Sequence, residues 1–167
     1  MKRRVLPFGN QAILLRPIEE SDLETTLSWR NRNEARVWFK SPDPISLEQH
    51  RNWFFRYLEK DDDFLFVIEA DGVIVGQAAV YDIDFTLRTA EVGRFLVAPA
   101  STGKGYIRSA CNELVHFCNS VLGLDYVFLE VFEHNERAIG LYLRSGFVEE
   151  QRYDGLIRMG RHTAGCV

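Results

Sequence analysis

The chain has 167 residues, 46% of them hydrophobic and 26% charged, the composition of one water-soluble globular domain rather than a disordered or fibrous segment. A formal net charge of −4 gives no overall basic field for nucleic acid, no apolar run approaches the ~18 residues of a membrane span, and no secretion-signal pattern follows Met1. The cysteines, Cys111, Cys118 and Cys166, form an odd set without metal-ligand spacing, so no disulfide framework and no metal site is expected, and a reducing cytoplasm is the expected compartment.

Taken in order, residues 11–16 read as a first strand stopped by Pro17. Ser21 and Asp22 are candidate caps for a helix over 20–32. Ser41-Pro42-Asp43-Pro44 is a loop, and Ser46-Leu47-Glu48-Gln49 has the capping-box pattern that opens a second helix to about residue 59. Its Trp53, Phe54 and Tyr57 are spaced for one helical face. Strands over 64–70 and 73–81 meet at Asp71-Gly72, a hairpin signal. Residues 82–88 read as a turn and 89–97 as the next strand.

After a turn bearing Gly103 and Gly105 comes a third helix, ended by Gly123, with Cys111 and Cys118 spaced as buried free thiols on one face. A strand over 126–131, a short helix over 136–144 and a hairpin of 147–152 with 156–161 complete the chain. The order mixes hairpins with helical crossovers, which predicts an α+β domain spanning 1–167, with one mixed, largely antiparallel twisted sheet of about six or seven strands and helices on both faces.

Chemistry concentrates in residues 91–122. A strand runs into the glycine turn and the turn opens a helix, so unpaired backbone N–H groups gather at a helix start, where an anion is favoured. Gly103 and Gly105 allow a tight bend and a close ligand approach, and Lys104 adds positive charge. The Gly-Lys-Ser/Thr ending of a P-loop is missing, as is the three-glycine dinucleotide fingerprint. An ordinary strand-to-helix turn explains this segment alone equally well. A second cluster, Asn135-Glu136-Arg137-Ala138-Ile139-Gly140-Leu141-Tyr142 closing on Ser145-Gly146-Phe147, caps a short helix. That helix carries Tyr142 two turns along.

Together, the glycine turn and the Asn135/Tyr142 cluster resemble the GCN5-related N-acetyltransferase (GNAT) family, with the order of elements agreeing from about Arg16 onward. The resemblance implies the GNAT fold and acetyl-CoA as cofactor. It implies that the amides of Thr102, Gly103, Lys104, Gly105 and Tyr106 hold the pyrophosphate. It further implies that backbone groups of Leu96 and Val97, beside a strand bulge, pair with the pantetheine arm, that Asn135 contacts that arm, and that Tyr142 protonates the leaving thiolate. The position usually filled by Gln or Arg before the glycines is Ala100, so a side-chain phosphate contact is absent there.

Amine acetylation needs a proton taken from the amine as well as one given to the thiolate. Glu91, on the strand feeding the cofactor site, is the base expected; the competing reading makes it a structural carboxylate paired with an arginine such as Arg94. His50 and His134 are rival bases because imidazole titrates near neutrality. Between residues 29 and 60 the chain carries Arg30, Arg32, Arg36, Lys40, Arg51, Arg56 and Lys60 among Trp29, Trp38, Phe39, Trp53, Phe54 and Tyr57. Cations beside aromatics suit an anionic ligand with a flat ring, and a solvated charged face over an aromatic core accounts for most of them as well.

A narrower likeness runs through Trp29-Arg30-Asn31, Ile45-Ser46-Leu47-Glu48-Gln49-His50 and Trp53-Phe54. It resembles acetyltransferases of nucleotide-linked amino sugars, in the manner of pseudaminic acid synthesis, and implies that Arg30, His50 and Arg88 bind a UDP-4-amino sugar. The alternatives are a ribosomal-protein N-terminal acetyltransferase of the RimJ/RimL type and an aminoglycoside or polyamine acetyltransferase. From a different class, a non-catalytic CoA-binding module also fits. No nucleic-acid or membrane partner is expected, and a homodimer is compatible with the sequence.

Overall fold

A computed structural model describes residues 2–164, so Cys166 lies outside the described residues. Among the described residues, eight strands form one sheet in the order β1-β2-β3-β4-β5-β6-β8-β7. They are β1 (Phe8–Gly9), β2 (Leu14–Pro17), β3 (Phe64–Ala70), β4 (Val73–Asp84), β5 (Thr89–Val97), β6 (Tyr126–Phe132), β7 (Val148–Tyr153) and β8 (Leu156–His162). Every pairing is antiparallel except β5 with β6. The helices are α1 (Leu23–Arg30), α2 (Asn33–Arg36), α3 (Leu47–Leu58), α4 (Tyr106–Ser120) and α5 (Glu136–Arg144).

β3 explains the layering. Six of its seven residues are buried, the pattern of a strand covered on both faces. Phe64, Phe66 and Ile68 join Ala110, Leu114 and Phe117 of α4 in the larger core, while Leu65 and Val67 join Leu23, Phe54 and Tyr57 of α1 and α3 in a second core on the opposite face. Full burial of a side chain such as Phe66 contributes about 3 kcal/mol, so the central strand anchors both layers. Cys111 and Cys118 are buried in the α4 core as expected, and burial pushes the Cys111 thiol up to about 12, which keeps it inert.

Three expected boundaries change. The sheet gains a strand, because β1 has only two residues, too few for an alternation to show. The helix over 20–32 is a 3-10 turn at Glu20–Asp22 followed by α1, with α2 a separate single turn. Asp22 does not cap α1; its carboxylate takes the Arg16 guanidinium at 2.8 and 2.9 Å and the Glu19 amide at 2.8 Å. β4 runs on to Asp84, so the connection to β5 is shorter than residues 82–88. The capping box of α3 forms as read: the Gln49 amide donates to Ser46 Oγ at 3.1 Å and the Ser46 amide donates to Gln49 Oε1 at 2.8 Å.

Candidate active site

The two central strands separate. The parallel β5–β6 pairing covers only Thr89↔Tyr126, Ala90↔Val127 and Glu91↔Phe128, although β5 continues to Val97 and β6 to Phe132. A parallel ladder that stops leaves the later backbone groups of β5 without a strand on that side. Leu96 and Val97 stand on this edge, paired on their other side with Gln77 and Gly76 of β4.

The glycine turn lies just beyond the end of β5. Gly103 and Gly105 both adopt left-handed backbone, at φ 80 and 79, and a Cβ built on either meets nothing within 4 Å. Among the described residues the amides of 103–108 have no acceptor, and Gly105 caps α4 without any side-chain bond. Six unpaired donors over an open, Cβ-free surface at the start of a 15-residue helix fit a pyrophosphate. Thr102 differs from the expectation, since its amide is directed to the Pro99 carbonyl at 3.4 Å. Lys104 is exposed, and Ala100 sits in the 3-10 turn before the glycines.

The candidate acid and base flank the strand gap on opposite faces. Tyr142, on α5, packs with the α4-side core, its ring 5.9 Å from Phe95 and 6.1 Å from Phe147. Its hydroxyl has no hydrogen-bond partner among the described residues, and burial, followed by Cys111 and Tyr81, holds the phenol well above its ordinary value. Glu91 pairs directly across from Tyr81, which belongs to the opposite face. Burial and then Glu130 raise its carboxyl above the ordinary value, with Asp82 acting in the same sense and Lys40 and Tyr81 against it. The phenol stays protonated and so has a proton to give, and the raised carboxyl makes Glu91 a stronger base than an ordinary carboxylate. Asn135 uses its side-chain oxygen to cap α5, accepting from the Ala138 amide at 3.3 Å, which fixes it at the end of β6 with its NH₂ group available.

On the Glu91 face lies a half-open cavity of about 560 Å³ between α1, α3 and the loop joining α2 to α3. Thr26, Arg30, His50, Trp53 and Arg56 line its helical side, and Leu65, Gln77, Arg94 and Leu96 its sheet side. Leu96 thus borders both the cavity and the free strand edge. The lining residues include three arginines and no Asp or Glu. Arg30 lies with its Cζ 5.4 Å from the Phe39 ring and donates only to carbonyls, those of Ser41 at 3.2 Å and Asp43 at 3.3 Å. His50 stacks on Trp53 at 5.3 Å, and burial, then Arg30, lowers its pKa.

Arg30 and His50 are therefore brought together as expected, and Arg88 is not. Its guanidinium binds the Gly123 carbonyl and Asp125, each at 2.9 Å, beyond the end of α4. Arg94 does not pair with Glu91 either; its partner is Asp63 at 2.7 Å. His134 lies outside the cavity, its ring 5.2 Å from Trp38. Gln77 and Arg94 carry no site signal in the sequence, because each joins the cavity wall through strand register, and Asp63 enters only through its pair with Arg94.

Residues 12–148 match the acetyltransferase (GNAT) domain family. The chain belongs to the GNAT acetyltransferase family. Membership makes it an acetyl-CoA-dependent N-acetyltransferase. Among curated proteins, the spermidine N(1)-acetyltransferase of Vibrio cholerae is 29% identical over 143 residues, covering 84% of this chain and 82% of its own. The putative ribosomal N-acetyltransferase YdaF of Bacillus subtilis is 30% identical over 161 residues, covering 92% and 87%. The crystal structure of the V. cholerae spermidine enzyme with CoA and spermine superposes with a TM-score of 0.85 at 25% identity, covering 92% of this chain and 97% of that one. A dodecameric structure of the same V. cholerae enzyme superposes with a TM-score of 0.77.

Proposed function

We propose that this GNAT enzyme acetylates the primary amine of a small molecule by direct attack on the thioester. The observation that carries this reading is the strand split, with unpaired amides at its mouth and Tyr142 and Glu91 on its two sides. The amides of 103–108 and the β5 edge at Leu96 and Val97 would hold acetyl-CoA, with Asn135 alongside. The cofactor supplies an acyl carbon open to an amine and a sulfur that leaves as a thiol. Glu91 takes a proton from the acceptor ammonium, which frees the nitrogen lone pair; Tyr142 gives its phenolic proton to the departing sulfur, and the second proton, shed by the nitrogen after attack, restores the phenol. Glu91, Glu130 and Asp82 place negative potential at this end, which draws an ammonium in.

The relatives support a polyamine as acceptor, since those of V. cholerae and Escherichia coli are spermidine N(1)-acetyltransferases. They lend no support to a nucleotide-linked amino sugar, and the B. subtilis relative keeps a ribosomal acceptor in view. One observation favours a second reading, an amine that also bears an anionic group: the cavity wall carries Arg30, Arg56 and Arg94 without an acidic residue. Only Arg94 of the three has an ion-pair partner among the described residues. A polycation gains nothing from such a wall, whereas a phosphate or carboxylate does. Self-association is a further expectation, in keeping with the dodecamer of the V. cholerae enzyme.

Thiol release from acetyl-CoA, measured across spermidine, UDP-4-amino sugars, N-terminal peptides and aminoglycosides, separates these acceptors. Turnover with spermidine establishes the polyamine reading, and turnover confined to the amino sugar establishes the anionic one. Activity on peptides alone contradicts both.

A further inference from the structure

β5 carries one residue more than β4 beside it. Between the pairs Ala79↔Gly93 and Gln77↔Leu96 the first strand advances two positions and the second three. The surplus is a β-bulge, which bends its strand and re-aims the residues after it. Those residues include Leu96 and Val97, the free edge expected to pair with the cofactor. The bulge residue Arg94 stands at φ 52, a left-handed conformation that glycine adopts freely and side chains rarely do.

The neighbouring glycine would serve the backbone better there, yet it sits one residue earlier. Gly93 is accounted for by Tyr81, because a Cβ at that position would meet the Tyr81 hydroxyl at 2.5 Å. An arginine in left-handed backbone calls for a different cause, and both of its ends supply one. Its carbonyl accepts from Gln77 Nε2 at 2.9 Å, which ties the bulge to β4. Its guanidinium forms a two-pronged pair with Asp63, at 2.7 and 3.1 Å, and passes over the Tyr81 ring at 4.2 Å. Asp63, immediately before β3, is 2% exposed, so its carboxylate is committed to this one partner geometry.

The geometry points to Arg94 as a positioning residue: its fork onto Asp63 fixes the β5 bulge, and through the bulge the edge at Leu96 and Val97 that takes acetyl-CoA. This role rests on the cofactor site proposed for the strand split. Arg94, Gln77 and Leu96 also line the acceptor cavity, so one half-buried pair sets both the cofactor edge and the adjoining wall. Arg94 touches no reacting atom and acts through the strand.

Calorimetric titration with CoA and acetyl-CoA steady-state kinetics, on the full chain and its variants, test the assignment. The wild-type titration speaks to the cofactor reading alone, since a wild-type chain that fails to bind CoA contradicts that reading. The ratio of variant to wild type speaks to Arg94. Arg94→Gly relieves the backbone and removes the fork, while Arg94→Lys keeps the charge but not two parallel bonds. Arg94→Gly is expected to raise the CoA Kd and the acetyl-CoA KM together by about tenfold, with kcat falling less and the melting temperature kept within a few degrees. Arg94→Lys is expected to recover part of the loss. A folded Arg94→Gly variant with wild-type Kd and KM overturns the proposal. Should that variant fail to fold, Arg94→Lys and Asp63→Asn carry the same test, and unchanged Kd in both overturns it.

Discussion

Tyr142 and Glu91 divide the proton work because their environments differ. The phenol is enclosed between Phe95 and Phe147 and held protonated, so it has a proton to give. Tyr142→Phe should lower kcat by about a hundredfold while leaving CoA binding intact, checked by turnover beside titration. Glu91 must be ionised to act, and its carboxyl is raised by burial and by Glu130. Turnover should therefore rise with pH above the range of an ordinary carboxylate, and Glu91→Gln should lower kcat and remove that acid limb. The same raised carboxyl has a stability consequence of opposite sense. Its folded form binds the proton more tightly, so its stabilising effect is present at low pH and lost as pH rises through the folded value. Tyr142, Asn135 and the two glycines stand out in the sequence because they lie in short local motifs, and the roles the family resemblance implies for them are what these variants test. Arg88 is misleading because charge alone suggests a pocket, whereas only the fold shows it serving the Gly123 carbonyl and Asp125.

Elements whose ends are written in capping chemistry come out of the sequence well. The Ser46/Gln49 box sets the start of α3, and Ser46→Ala should cost about 1 kcal/mol, read as a shift in the chemical denaturation midpoint. That helix carries His50 and Trp53 into the cavity, so its register matters to the site. The glycine turn is equally readable, since two left-handed glycines before α4 do what their sequence suggests. Gly105→Ala should cost about 1 kcal/mol for its left-handed backbone and weaken CoA binding, measured by denaturation and titration. Less legible is the join between α1 and α3. Lys40 reaches Glu130 of β6 at 2.7 Å and Trp38 packs on His134, contacts that lie far apart in the chain and carry no local signal. β1 escapes notice for a simpler reason, its two-residue length.

At the scale of the molecule, the layering comes from β3, whose alternate side chains feed two separate cores. The mixed strand and helix order is visible in the sequence but the strand split is not, because the length of the β5–β6 ladder is a matter of pairing. In the proposed reading that split seats the cofactor, between the α4 start and the strands that carry Glu91 and the arginine-lined cavity wall. Hydrogen–deuterium exchange with and without CoA reads the split amide by amide, because amides without acceptors exchange freely until a ligand occupies them. CoA should slow exchange at residues 103–108 and along 92–97, with little change on β7 and β8. Protection that falls elsewhere, or none at saturating CoA, would contradict a cofactor seated in the split.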